Sequence, residues 1–103
     1  MTETIRIEKA TLPEEGRAVR VDAHGTPVAV FREDGQLFAV DARCTHVGGP
    51  LERGRVNGTQ VTCPLHGSVF DLRTGAVIRG PATRPVTAYR ARVEGETLVL
   101  ERE

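Results

Sequence analysis

The sequence has no long apolar run, no net charge and almost no cysteine, and each shortage removes a class of function. No window approaches the roughly 20 apolar residues that span a bilayer. The opening stretch MTETIRIEKATLPEEG carries no apolar segment behind a positive flank, so a cytoplasmic protein without a membrane partner is expected. Fourteen basic residues, thirteen of them arginine with the single lysine Lys9, balance fourteen acidic ones. No overall field therefore recommends nucleic acid or an anionic surface as partner. No G-x-G-x-x-G fingerprint for a dinucleotide appears. At 103 residues the chain is expected to be a single domain, 1–103, with no room for a second carrying its own catalytic cavity.

What is present is alternation. Apolar and polar residues alternate near 4–8, 18–23, 27–32, 37–42, 59–63, 68–72, 76–80, 86–94 and 97–102. Hairpin dipeptides lie between the runs: His24-Gly25, Asp34-Gly35, Asn57-Gly58, Thr74-Gly75 and Glu94-Gly95. This rhythm predicts an all-β sandwich or small barrel of antiparallel strands. No helix is evident; residues 10–17 hold at most a turn. The longest unpatterned stretch, 43–58, reads as a long loop, and long loops in compact domains are usually functional.

That loop carries Cys44-Thr45-His46, and beyond sixteen intervening residues comes Cys63-Pro64-Leu65-His66. Both cysteines of the chain are thus used, each beside a histidine on one of two loops. In a reducing compartment such a set more often binds metal than forms a disulfide. Two thiolates and two imidazoles complete a tetrahedral zinc site. In the usual zinc modules, however, cysteines pair on one turn and histidines on another. Loops that each offer one of both also suit a dinuclear cluster, with Cys44 and Cys63 on one iron and His46 and His66 on the other. Taken singly, Gly48, Gly49, Gly67 and Gly75 would be turn glycines, and His24, with no partner nearby in sequence, a surface turn residue.

The motif C-x-H, sixteen residues, C-x-x-H resembles that of the Rieske ferredoxins and related domains. The likeness extends to HVGGPL, to HGSVFDLRTG and to Gly80-Pro81-Ala82. It implies one Rieske 2Fe-2S cluster held by Cys44, His46, Cys63 and His66, in a cluster-binding subdomain of about 43–82 formed by two loops. The cysteine-bound iron would lie inward and the histidine-bound iron near the tip. Gly48, Gly49 and Gly67 would let backbone N–H groups approach the sulfurs, and Pro81 would cover the cluster. Ser68 falls where high-potential relatives place a hydroxyl donor to a bridging sulfide, whereas Phe70 replaces a tyrosine donor. Leu65 and Gly49 fall where respiratory subunits have a second pair of cysteines, whose disulfide cannot form here. A low to middling potential within the Rieske window of roughly −150 to +300 mV follows. The ferric iron should acidify the imidazole N–H groups, so the potential should fall at high pH.

The resemblance implies an electron carrier, not an enzyme: the third histidine, His24, is the only spare one, and no 2-His-1-carboxylate set for mononuclear iron is available. The expected protein is a monomer taking one electron from a reductase and passing it to an oxygenase or other acceptor in transient contacts below roughly 1,200 Å². Val47, Pro50, Leu51, Pro64, Leu65 and Pro81 are the expected docking patch. The alternatives are a small subunit of a larger oxidoreductase such as an assimilatory nitrite reductase, and a structural zinc module.

Overall fold

A computed structural model describes residues 3–45 and 48–102. Ten strands and one short 3-10 helix follow one another: β1 Glu3–Glu8, β2 Ala18–Ala23, β3 Thr26–Glu33, β4 Gln36–Asp41, the helix Leu51–Arg53, β5 Arg55–Asn57, β6 Gln60–Thr62, β7 Val69–Asp71, β8 Val77–Arg79, β9 Ala88–Glu94 and β10 Thr97–Arg102. They form two antiparallel sheets, one of six strands in the order β1-β10-β9-β4-β3-β2 and one of four in the order β5-β6-β7-β8. The all-β expectation holds.

The large sheet obeys its alternation. Its β2–β3 and β3–β4 turns place His24 and Gly25, then Asp34 and Gly35, at positive φ. Consecutive positive φ values match the twist of the flanking strands, which is why Asp-Gly and His-Gly serve there. Strand β3 lies between β4 and the edge strand β2 and is buried on both faces. Val28 and Val30 join Ile5, Val21, Ala39, Leu98 and Leu100 on one side, while Ala29 and Phe31 face the other. Because Ile5 of β1 and Val21 of β2 share one core from opposite edges, the sheet curls into a half-barrel. Tyr89 closes this core where β9 leaves β4, its hydroxyl donating to Asp41 Oδ1 at 2.7 Å; burial, then the hydrogen bond to Asp41, raises its pKa well above the ordinary phenol value.

The second core ties the sheets together: Phe31, Val40 and Ala42 from the large sheet meet Leu51, Val61, Phe70, Leu72, Ala82 and Val86. Both cysteines sit in it. Here the sequence reading needs correction, because the stretch 43–58 is not unpatterned loop throughout. It contains the 3-10 turn and β5, which pairs Arg55 with Thr62 and Val56 with Val61. A three-residue strand with one apolar residue shows no periodicity of its own; β6 makes it a strand. The turn that follows falls on Gly58–Thr59, one residue later than the Asn57-Gly58 signal suggested.

Candidate metal centre

Two loops emerge from the junction of the sheets, and both are closed in the same way. Cys44 N–H donates to Gly49 C=O at 2.9 Å, and Cys63 N–H donates to Ser68 C=O at 2.7 Å. Each bond runs from a cysteine to the residue five positions on, so each cysteine stands at the foot of a tight excursion. In the first, Gly48 N–H also donates to Cys44 C=O at 2.8 Å, and Gly48 turns the chain at φ 75°. The second turns back through His66 and Gly67, with φ of 70° and 77°. A histidine in that region is uncommon and adds local cost.

A third segment, between β8 and β9, leans on both loops. Ala82 N–H donates to the buried Ser68 Oγ at 2.9 Å, and the Thr45 hydroxyl donates to Arg84 C=O at 2.6 Å. Pro81, joined to Gly80 by a cis peptide bond, stays at the surface beside buried Ala82.

Inside the junction, Cys44 and Cys63 are both buried, and their thiols are near enough to interact directly. Burial pushes the Cys63 thiol up; the Leu65 N–H donating to its sulfur pulls it back, and the neighbouring Cys44 thiol raises it again. A buried thiol with a raised pKa stays protonated until a metal ion takes the proton's place. Gly49 keeps that space open. A Cβ at Gly49 would lie 2.7 Å from Cys63 Sγ, closer than any side chain tolerates. The same Cβ would stand 3.3 Å from Leu65 Cβ, just under the usual Cβ separation across a disulfide. Positions 49 and 65 therefore face each other, and in this chain neither carries sulfur.

The residues singled out from sequence divide accordingly. Cys44, Gly49, Cys63 and Ser68 are brought together in the buried floor, with Leu65 over it. Phe70 is fully buried in the core that holds both cysteines and has no hydroxyl to offer a sulfur. His66 is exposed, with Gly67 beside it and Gly48 exposed on the other loop. His46 and Val47 lie outside the described residues. Among the described residues, no three His, Cys, Asp or Glu side chains converge on one point. The docking patch needs one correction: Leu51 is completely buried under the loops, because the 3-10 turn points it into the core. Pro64, Leu65 and Pro81 are exposed, and Pro50 is half-buried.

Thr45 and Ala82 stand inside the sequence motifs but carry no role there, and Arg84 lies outside them. Ala82 and Arg84 act through the backbone, which leaves no trace in residue type. The donors fit an iron–sulfur group: two soft sulfurs inside, a glycine cradle against one of them, and imidazole at the surface.

A comparison with protein families matches residues 4–90 to the Rieske [2Fe-2S] domain. Over 88 residues the chain is 35% identical to the ferredoxin subunit of 3-phenylpropionate/cinnamic acid dioxygenase from Shigella flexneri, covering 84% of this chain and 82% of the relative. Among solved structures, the ferredoxin of carbazole 1,9a-dioxygenase from Nocardioides aromaticivorans superposes with a TM-score of 0.84 at 31% identity, covering 93% of this chain and 96% of that one. A ferredoxin in complex with its oxygenase from a carbazole 1,9a-dioxygenase gives 0.82 at 28%, covering 93% and 92%. A nitrite reductase small subunit from Mycobacterium tuberculosis, described as putative, gives 0.80 at 26%, covering 100% and 97%.

Proposed function

The chain belongs to the Rieske [2Fe-2S] domain family, and we propose that it serves as the ferredoxin of an oxygenase system, carrying single electrons from a reductase to the oxygenase. The observation that carries this reading is the pairing of a buried two-thiol floor with an exposed histidine on a loop tip. A centre built so is insulated on one side and open on the other. Relatives that bear the name ferredoxin component or subunit of a dioxygenase, and a structural neighbour seated on an oxygenase, support the same direction of transfer.

When bound, the 2Fe-2S group supplies one reversible electron-accepting centre. The chain's own residues do the rest. Cys44 and Cys63 are the proposed inward ligands and release their protons when metal is taken up. His46 and His66 are the proposed outward ligands, with the exposed His66 ring forming part of the electron's exit. The Leu65 N–H steadies negative charge on the Cys63 sulfur. The Ser68 hydroxyl accepts from Ala82 N–H, which would leave its own proton to offer to a sulfur of the group. Phe70 offers none, and no disulfide stiffens positions 49 and 65. The potential is therefore low to middling for this class.

The domain is taken as residues 1–103, with the cluster region about 43–82, working as a monomer in transient complexes. Both cysteines are free, and no helix among the described residues is long and apolar enough to cross a membrane. Both observations suit a reducing cytoplasm. The test is reconstitution: anaerobically prepared protein should be reduced by a flavin-dependent reductase and then reoxidised by an oxygenase. Co-purification with a large, stable enzyme and no turnover as a free carrier would instead make it a subunit, as the nitrite reductase neighbour suggests.

A further inference from the structure

The balanced net charge conceals a separation along the molecule. Residues 43–88 contain six arginines against two carboxylates, leaving eight basic and twelve acidic residues for the remainder. Both carboxylates of that segment are half-buried and already engaged, Glu52 with Arg20 at 3.9 Å and Asp71 with Arg73 at 3.3 Å. Arg43, Arg55, Arg79 and Arg84 are exposed and make no ion pair among the described residues. Each is tied to a loop. Arg43 precedes Cys44, Arg55 pairs with Thr62 just before Cys63, Arg79 pairs with Val69 just after Ser68, and Arg84 accepts the Thr45 hydroxyl on its carbonyl.

At the other end of the large sheet the sign reverses. Glu8, Asp34 and Glu96 are exposed around the β3–β4 and β9–β10 turns beside the cation Lys9, Glu94 there is paired with Arg6 and Arg92, and Glu15 binds the Asp34 and Gly35 N–H groups. The positive end of the molecule is a ring of arginines at the feet of the loops, around a tip of Pro64, Leu65, His66 and Pro81 that holds no Arg, Lys, Asp or Glu.

We infer that this tip docks a redox protein that presents carboxylates around its own electron port. The inference rests on the carrier reading and specifies the partner's chemistry. Arginines around an apolar centre pre-orient an acidic face during diffusional encounter and repel a basic one. The acidic tail adds torque in the same sense. The prolines and Leu65 of the tip then make the close contact while the arginines stay at its solvated rim.

The test uses the cluster-loaded protein, reduced chemically, with two protein oxidants of opposite surface charge: plastocyanin, with its acidic patch, and cytochrome c, with its basic heme edge. Stopped-flow rates at low salt should favour plastocyanin by about tenfold or more, and that rate should fall as salt screens the arginines. Arg79→Glu and Arg84→Glu should each lower it several-fold. Lys9→Glu, an equal change in net charge at the far end, should move it much less. Faster transfer to cytochrome c, or rates indifferent to salt and to both arginine variants, overturns the inference and leaves the carrier intact. Transfer to neither oxidant overturns the carrier reading as well.

Discussion

The six-stranded sheet and the four-stranded sheet solve different problems. In the large sheet, strands of six to eight residues hold long registers, and the exposed arginines Arg6, Arg92 and Arg102 are ion-paired to Glu94, Glu101 and Glu3. In the small sheet every strand has three residues; loops outweigh ladder, and most arginines there make no ion pair among the described residues. The first region is held by burial repeated along strands. The second is held by a few close approaches and loop-closing hydrogen bonds, so single residues there should matter far more, and for metal as much as for stability.

Gly75 should give the largest effect. It sits at φ +81°, and a Cβ would collide with Val86 C=O, which is held close because Val86 N–H donates to Gly75 C=O at 3.0 Å. Gly75→Ala is expected to cost about 3–5 kcal/mol or prevent folding, read from urea midpoints. An alanine tolerated there would break the contrast between the regions.

Next comes Gly49→Ala. Its φ is ordinary, so the cost is the 2.7 Å clash with Cys63 Sγ and the tight approaches of 3.2 and 3.3 Å to Leu65 Cγ and Cβ. The variant should fold with nearly the wild-type melting temperature before metal is added, yet hold less than about half the iron, because the sulfur must move away from its ligating position. Full iron occupancy in a stable Gly49→Ala protein would mean that the cradle has been misread.

Asp71 gives a smaller and pH-dependent effect. Burial alone would raise its pKa, but the Arg73 side chain and the Arg73 and Thr74 N–H groups outweigh it and hold the carboxyl low. A depressed folded-state value means the stabilisation is present above the unfolded pKa of about 3.9 and is lost as pH falls through the folded one. Asp71→Ala should destabilise by about 1 kcal/mol at neutral pH, and the gap from wild type should narrow as pH falls below the unfolded value of about 3.9 and through the depressed folded one. At the bottom of the order stands Glu94→Gln on the large sheet. Removing this exposed partner of Arg6 and Arg92 should leave the melting temperature unchanged within error.

The same contrast explains what could be read in advance. Strands 18–23 and 97–102 were legible to the residue, since six-residue alternation is a strong signal. Strand β5 was not, because Arg55-Val56-Asn57 becomes a strand only by pairing. The cysteine loops were legible through residue type and spacing. Their fixation was not: Ala82 N–H on Ser68 and the Thr45 hydroxyl on Arg84 C=O are tertiary contacts between segments 14 and 39 residues apart. Leu51 was misplaced on the surface because its neighbours Gly49-Pro50 look like loop, while the 3-10 turn buries it. The basic ring was invisible in a net charge of zero and emerged only when the arginines acquired positions.

Pulsed EPR of the reduced protein tests the central claim most directly, because it reads the cluster's ligands themselves. The account predicts iron and labile sulfide at about two each per chain, with nitrogen couplings from two histidines, one of which disappears in His66→Cys. A single zinc without sulfide, or a reduced spectrum with no histidine nitrogen, would contradict it.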